Sequence, residues 1–266
     1  MTDIDGALDW RGHEVCCDSC SHRALLAEQK CALRKACVQD RYARRIDRFF
    51  DWNPSLADGY LTHPHFEVRA IAAKHANLFL LPPLLNDPDE TVRWEAARRL
   101  PRRHLLTLRH DPHREVRIRV ATRLADEDLQ PMMKDPDYYV RLTIARTISP
   151  TMLPLMILDE DSEVRRVVAR RIGAEWLVRM AMDEHGDVRL EAAQRMVPEQ
   201  LLMLQDDADW RVRYYVATRV ALRDLTCMHN DPDSLVAEVV RERLSASPAT
   251  QLVNAPTRHD VAYGDA

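Results

Sequence analysis

The sequence predicts an all-α repeat solenoid of 266 residues, in which α-helices alternate with short 3-10 turns. Three observations carry this expectation. The first is a Val-Arg pair that returns as Val68-Arg69, Val92-Arg93, Val116-Arg117, Val140-Arg141, Val164-Arg165, Val188-Arg189 and Val212-Arg213, every step being 24 residues. An eighth copy keeps Val236 but has Ala237 in place of the arginine. Equal steps without insertion or deletion mark a repeat array. The second observation is apolar spacing after each valine. Four residues on stand Ala72, Ala96, Val120, Ile144 and Val168, five on the alanines Ala73, Ala97, Ala121, Ala145, Ala169, Ala193 and Ala217, and eight on Leu100, Leu124, Ile148, Ile172, Met196, Val220 and Leu244. This is one face of a helix of about twelve residues. Third, about a dozen residues remain per unit, too few for a second full helix. Leucine nonetheless recurs there at Leu81, Leu105, Leu129, Leu153, Leu177, Leu201 and Leu225, with an apolar partner three further on, as a 3-10 turn allows.

In chain order, residues 1–52 stand outside the repeat and hold five of the six cysteines. His22 to Lys30 reads as helical. So does Asp40 to Phe50, with apolar residues at Tyr42, Ile46, Phe49 and Phe50. Trp52-Asn53-Pro54 ends that helix, because a residue before proline is pushed out of the α region. Residues 53–62 form a junction with Pro54 and Gly59, and residues 63–248 hold eight repeats. Asp-Pro pairs such as Asp87-Pro88 open the units, and Asp89, Asp137, Asp161, Asp209 and Asp233 are placed to cap the helices. The small alanines let neighbouring helices approach closely. The ends of such a stack need covering; the cysteine module suits one, and the last unit, altered at Ala237 and Arg241, suits the other. Residues 249–266 read as a polar C-terminal tail.

Composition limits the function classes. The net charge of −4 argues against wholesale nucleic-acid binding and leaves room for a local basic patch. No apolar run approaches the roughly 20 residues that cross a bilayer, so no membrane partner is expected. The acidic start lacks a signal-peptide layout, which makes the cytoplasm the expected compartment.

In a reducing compartment, crowded cysteines read as metal ligands before disulfides. The natural frame is Cys17-x2-Cys20-x10-Cys31-x5-Cys37, with Cys16 as a spare able to replace Cys17. A tight turn aims the first pair at one centre. A zinc knuckle usually has a second short pair, whereas an iron–sulfur cube tolerates spread ligands. Arg23, Lys30, Arg34, Lys35, Arg41, Arg44 and Arg45 would suit an anionic cluster. Spacing alone leaves iron–sulfur, zinc and unligated thiols open.

The arginine after each valine falls inside the apolar arc, so it must be paired. Acids such as Asp87, Asp111, Asp135, Asp159 and Asp183 are the expected partners. A second column, Arg99, Arg123, Arg171, Arg195, Arg219 and Arg243, reads as a solvated edge, or alternatively as a phosphate-reading stripe. The histidines form no motif, Cys227 reads as a buried small residue, and no phosphate-cradling glycine loop exists. No enzyme site assembles.

The cysteine frame, the segment Asp40 to Phe50 and the repeat from Pro64 to Leu244 together resemble the leucine-rich repeat variant family. That resemblance implies a right-handed superhelix of alternating α and 3-10 helices, headed by a small [4Fe-4S] cap domain with Cys17, Cys20, Cys31 and Cys37 as ligands. The functional expectation is a non-enzymatic iron–sulfur scaffold that binds another protein, its cluster structural or redox-regulatory. Nucleic-acid binding along the second arginine column, or electron delivery to a partner enzyme, are the alternatives.

Overall fold

The computed structural model describes residues 6–246; the expected tail 249–266 lies outside the described residues, as does the acidic start at 1–5. Among the described residues there is no strand, only isolated bridges pairing Leu8 with Glu14 and Ala32 with Ala36. The chain divides into two compact units, Met1–Ile144 and Ala145–Ala266.

The first unit opens with the cysteine module. Its main helix, Ala43–Trp52, begins later than the pattern from Asp40 suggests, because Tyr42 adopts an extended cap and its N–H binds Asp40 Oδ1 at 2.9 Å. Ile46, Phe49 and Phe50 are fully buried on it. Asn53 closes the helix, donating from Nδ2 to Phe49 O at 2.9 Å and to Lys30 O at 2.7 Å. The helix expected from His22 to Lys30 is only Arg23–Ala27, since Gln29 turns into the left-handed region at φ 57°. A 3-10 helix, Pro54–Tyr60, then leads into the first repeat. Trp10 stacks on His65 at 5.6 Å and Phe50 on His75 at 6.0 Å, so the module covers the first repeat helix as an end cap should.

Repeat helices in the first unit include Phe66–His75, Glu90–Arg99 and Arg114–Ala121. In the second they are Ser162–Arg171, Gly186–Ala193, Trp210–Arg219 and the closing Ser234–Ser245. Most are shorter than twelve residues. Residues eight after the valine, such as Leu100, Ile172 and Val220, leave the helix as extended C-caps and stay buried. All five predicted aspartate caps accept a helix N–H, as Asp89 does from Thr91 at 2.9 Å. The seven alanines five after the valine are wholly buried, and so are the recurring leucines of the second half. Each such leucine contributes about 1.5–3 kcal/mol. The second half is less uniform than a 3-10 turn throughout, because Arg102–Leu105, Asp126–Leu129, Leu177–Met180 and Pro198–Leu201 each close one α-helical turn.

Paired arginines link neighbouring repeats. Arg69, Arg93 and Arg117 in the first unit, and Arg165, Arg189 and Arg213 in the second, each grip an aspartate 18 residues on with two parallel bonds. Nη1 of each also donates to the carbonyl six residues before it, just ahead of its own helix. The receiving carboxylate accepts an N–H from its own loop, as Asp111 does from His113 at 2.8 Å.

The second arginine column differs from the solvated edge expected of it. Arg99, Arg123, Arg171, Arg195 and Arg243 donate to the helix-end carbonyls of Ala73, Ala97, Ala145, Ala169 and Ala217 at 2.6–2.8 Å. Carbonyls in the last turn of a helix lack the regular intrahelical partner, although Ala97 O also accepts from the capping Leu100 N–H at 3.1 Å, and a cation there also opposes the helix dipole. Arg219 departs from the column and binds Tyr215 Oη at 2.6 Å.

Candidate metal centre

Cys17 and Cys20 share one turn, closed by Cys20 N–H on Cys17 O at 3.3 Å. His22 N–H donates to Cys20 Sγ at 3.4 Å. The short helix and the reversal at Gln29, where Lys30 N–H meets Leu25 O at 2.9 Å, bring the chain back to Cys31. Between Cys31 and Cys37 the loop is pinched by reciprocal bonds of Ala32 and Ala36, at 2.9 and 2.8 Å, with Arg34 at φ 61° in its tip. The pinch sets Cys31 and Cys37 at the two ends of one closed loop, both buried.

Electrostatics show which thiols face each other. Burial raises the Cys31 thiol, and the charges of Cys20 and Cys17 raise it further. Burial pushes Cys37 up to about 11; N–H groups of Gln39 and Asp40 pull the other way, while the charge of Cys31 adds to the rise. Raised in this way, the two thiols favour the protonated form, and metal binding would displace those protons. Cys16 stands apart. It is exposed, and the Ser19 N–H and hydroxyl lower its thiol without help from the other four. Cys31 therefore lies within range of the charges of Cys17 and Cys20, and Cys37 within range of Cys31, whereas none of these four is among the influences on Cys16. Cys17 and Cys20 are half-buried, and a cleft of ≈ 390 Å³ bounded by Asp9, Glu14, Cys16, Cys20 and Gln39 opens on that side. Among the described residues no group of three or more His, Cys, Asp or Glu side chains stands ready to hold a single metal ion.

Two residues that the spacing gave no reason to single out complete the site. Tyr60 lies close enough to Cys20, Cys37 and Cys31 that their charges, added to its burial, push its phenol up to about 12. Its hydroxyl meets the His22 ring, and burial lowers the His22 imidazole. The ring of His22 also packs at 5.4 Å from Phe49. Position two after Cys20 was the one available hint for His22; Tyr60 arrives from the junction, 40 residues from Cys20 in sequence. Several of the nearby cations are engaged elsewhere: Arg45 is buried on Asp40 at 2.9 Å, Arg23 is 3.5 Å from Asp18, and Lys30 is 2.8 Å from Glu28. Cys227 is not buried as expected. It lies on the outward side of its turn, with Sγ on Asp224 O at 3.0 Å.

A thiol-rich module joined to repeats of alternating α and 3-10 helices defines an iron–sulfur repeat protein, and residues 7–59 match the family model described as LRV protein FeS4 cluster. The chain belongs to the leucine-rich repeat variant family. It is 41% identical, with a TM-score of 0.81, to a solved structure described as a leucine-rich repeat variant with a novel repetitive protein structural motif, covering 86% of this chain and 99% of that one. Over 97 residues it is also 50% identical to a Rhodobacter capsulatus protein described as an uncharacterized 27.7 kDa protein in nifB 3'region. That match takes in 36% of this chain and 40% of the relative, so it spans less than half of the relative's length.

Proposed function

We propose that the chain is a non-enzymatic scaffold in which Cys17, Cys20, Cys31 and Cys37 hold a [4Fe-4S] cluster and the repeats bind another protein. The observation that carries the ligand set is the meeting of buried Cys31 and Cys37 across one pinched loop, with Cys17 and Cys20 near enough for their charges to reach Cys31, while Cys16 stands exposed on its own turn. The spread spacing Cys17-x2-Cys20-x10-Cys31-x5-Cys37 and the match of residues 7–59 to an FeS4 cluster family model favour the cube over zinc. When bound, the cluster supplies a one-electron couple or a structural staple. The chain's own contribution is to donate N–H groups from His22, Gln39 and Asp40 to the sulfurs and to bury Cys31 and Cys37. The repeats would serve as a display held together by the arginine–aspartate ladder.

The nucleic-acid reading loses its support where the second arginine column is spent on helix-end carbonyls. Electron delivery draws on the half-buried edge at Cys17 and Cys20, which leaves one side of the site accessible.

Anaerobic preparation of Cys20→Ala tests the ligand set. Iron, acid-labile sulfide and absorbance in the 400-nm region (an expectation for thiolate-to-iron charge transfer) should all be lost, while helical circular dichroism from the repeats persists. Full iron and sulfide in that variant would refute the assignment, and stoichiometric zinc in the wild type would refute the cluster.

A further inference from the structure

We propose that the first repeat carries a docking point for an acidic, apolar segment of another protein: Leu78, Phe79 and Leu80 form the anchor, and Arg103 the cation beside it. This rests on the reading of the repeats as a protein-binding scaffold. Phe79 is 88% exposed, and Leu80 and Leu78 beside it are 46% and 37% exposed. Single apolar residues on a surface need no explanation, but three in succession, led by a nearly bare phenylalanine, keep a sizeable apolar area in water.

The repeats provide their own comparison. Eleven residues after the valine, where the first unit has Phe79, the next six units have Arg103, Glu127, Thr151, Glu175, Glu199 and Arg223. The fold therefore does not require an apolar side chain at this position. The tip is also held in place. Asn77 N–H is bound by Asp58 Oδ1 at 2.7 Å, Phe79 N–H by Asn77 Oδ1 at 3.1 Å, and Leu81 just beyond is wholly buried. A fixed anchor loses little entropy when a partner covers it.

Charge identifies the partner. Arg99 of the second repeat donates to Ala76 O at 2.5 Å, and Arg103 holds in the second repeat the position that Phe79 holds in the first, which puts the basic stretch Arg98 to His104 in the neighbouring layer. Within it, Arg98 pairs with Glu95 at 3.2 Å, and Arg102 with Glu127 at 2.8 Å and with Asp128. Arg103 is exposed, and its described partner is His104 Nε2 at 3.2 Å, with no carboxylate. An apolar side chain next to a carboxylate would satisfy both features. An anionic bilayer fits less well, because the next repeat exposes Glu127 at the position matching Phe79 and Arg103. A second copy facing itself across a twofold axis would set Arg103 near its own equivalent.

Fluorescence anisotropy on the full, cluster-containing chain tests the proposal with two labelled helical peptides. Both carry Leu and Trp on one face; one is flanked by Glu and the other by Lys. The Glu peptide should bind saturably, lose about tenfold or more in affinity with Phe79→Ser, and weaken with Arg103→Glu while the Lys peptide gains. Leu158→Ser, an exposed change in the second unit, should leave binding as it was. Equal binding of the two peptides, or indifference to Phe79→Ser, would overturn the docking point. So would a Phe79-dependent dimer in sedimentation, or Phe79-dependent flotation with phosphatidylserine vesicles. A protein partner held equally by wild type and Phe79→Ser would sink this docking point and leave the scaffold reading standing. Failure to bind any protein or peptide would sink both.

Discussion

Arg93 and Asp111, 18 residues apart, share two parallel hydrogen bonds of 2.7 and 2.6 Å and are almost entirely removed from water. Arg93 also binds Asp87 O at 2.9 Å, so one guanidinium secures the start of its own helix and the loop of the next repeat. Removing it would strand a buried carboxylate. Arg93→Met is expected to cost about 3–5 kcal/mol, and Arg93→Met with Asp111→Leu less than that, because the unpaired charge is then gone. Urea unfolding followed at 222 nm would measure the difference. A double variant no more stable than the single would show that the penalty is not the stranded charge.

The pair Arg213–Asp231 gives a pH signature. The Arg213 guanidinium, 2.8 Å from the carboxylate, holds the Asp231 carboxyl below the usual range. A carboxyl whose folded pKa is depressed contributes stability above its unfolded pKa of about 3.9, and that stability is lost as pH falls through the folded value. Thermal midpoints of wild type and Arg213→Met should therefore differ at pH 6 and draw together as the pH falls below the unfolded value and through the folded one. A constant gap across that range would show that the loss is one of packing.

Arg123 donates to Ala97 O at 2.8 Å from an otherwise exposed position. Arg123→Met keeps most of the apolar stem and removes the bond, so a loss of about 1 kcal/mol is expected in chemical denaturation. An unchanged midpoint would return this column to the status of a solvated edge.

Cys16→Ser should retain full iron and sulfide. Asn53→Ala should retain them at first and then release iron faster to a chelator, since the side chain ties Lys30 O, next to Cys31, to the end of the main helix. Following absorbance decay under bathophenanthroline distinguishes the two. Immediate loss of iron from Cys16→Ser would put Cys16 in the ligand set.

What could be read from the sequence was whatever recurs. The period places Val92, Ala97 and Leu105 in the core, and the position of Arg93 within the apolar arc requires a buried partner, found in Asp111. Non-recurring features were harder to read. The contact between Tyr60 and the cysteines joins residues distant in the chain. The release of Leu100 into an extended cap depends on backbone angles that hydrophobic spacing does not encode. Arg123 was misjudged because its angular position shows the outward side of its own helix, whereas its partner is the end of the preceding one. Cys227 was misplaced for a similar reason, as two residues past a buried leucine in a 3-10 turn is already outside.

Each aspartate of the ladder takes two hydrogen bonds from the arginine behind it and one from its own loop. Copying or excising a 24-residue block inside either unit leaves every such donor facing an acceptor of the same kind. The chain could therefore grow or shrink in whole increments by gene duplication or loss without a compensating mutation, while a change of even one residue between two steps would break the register at once.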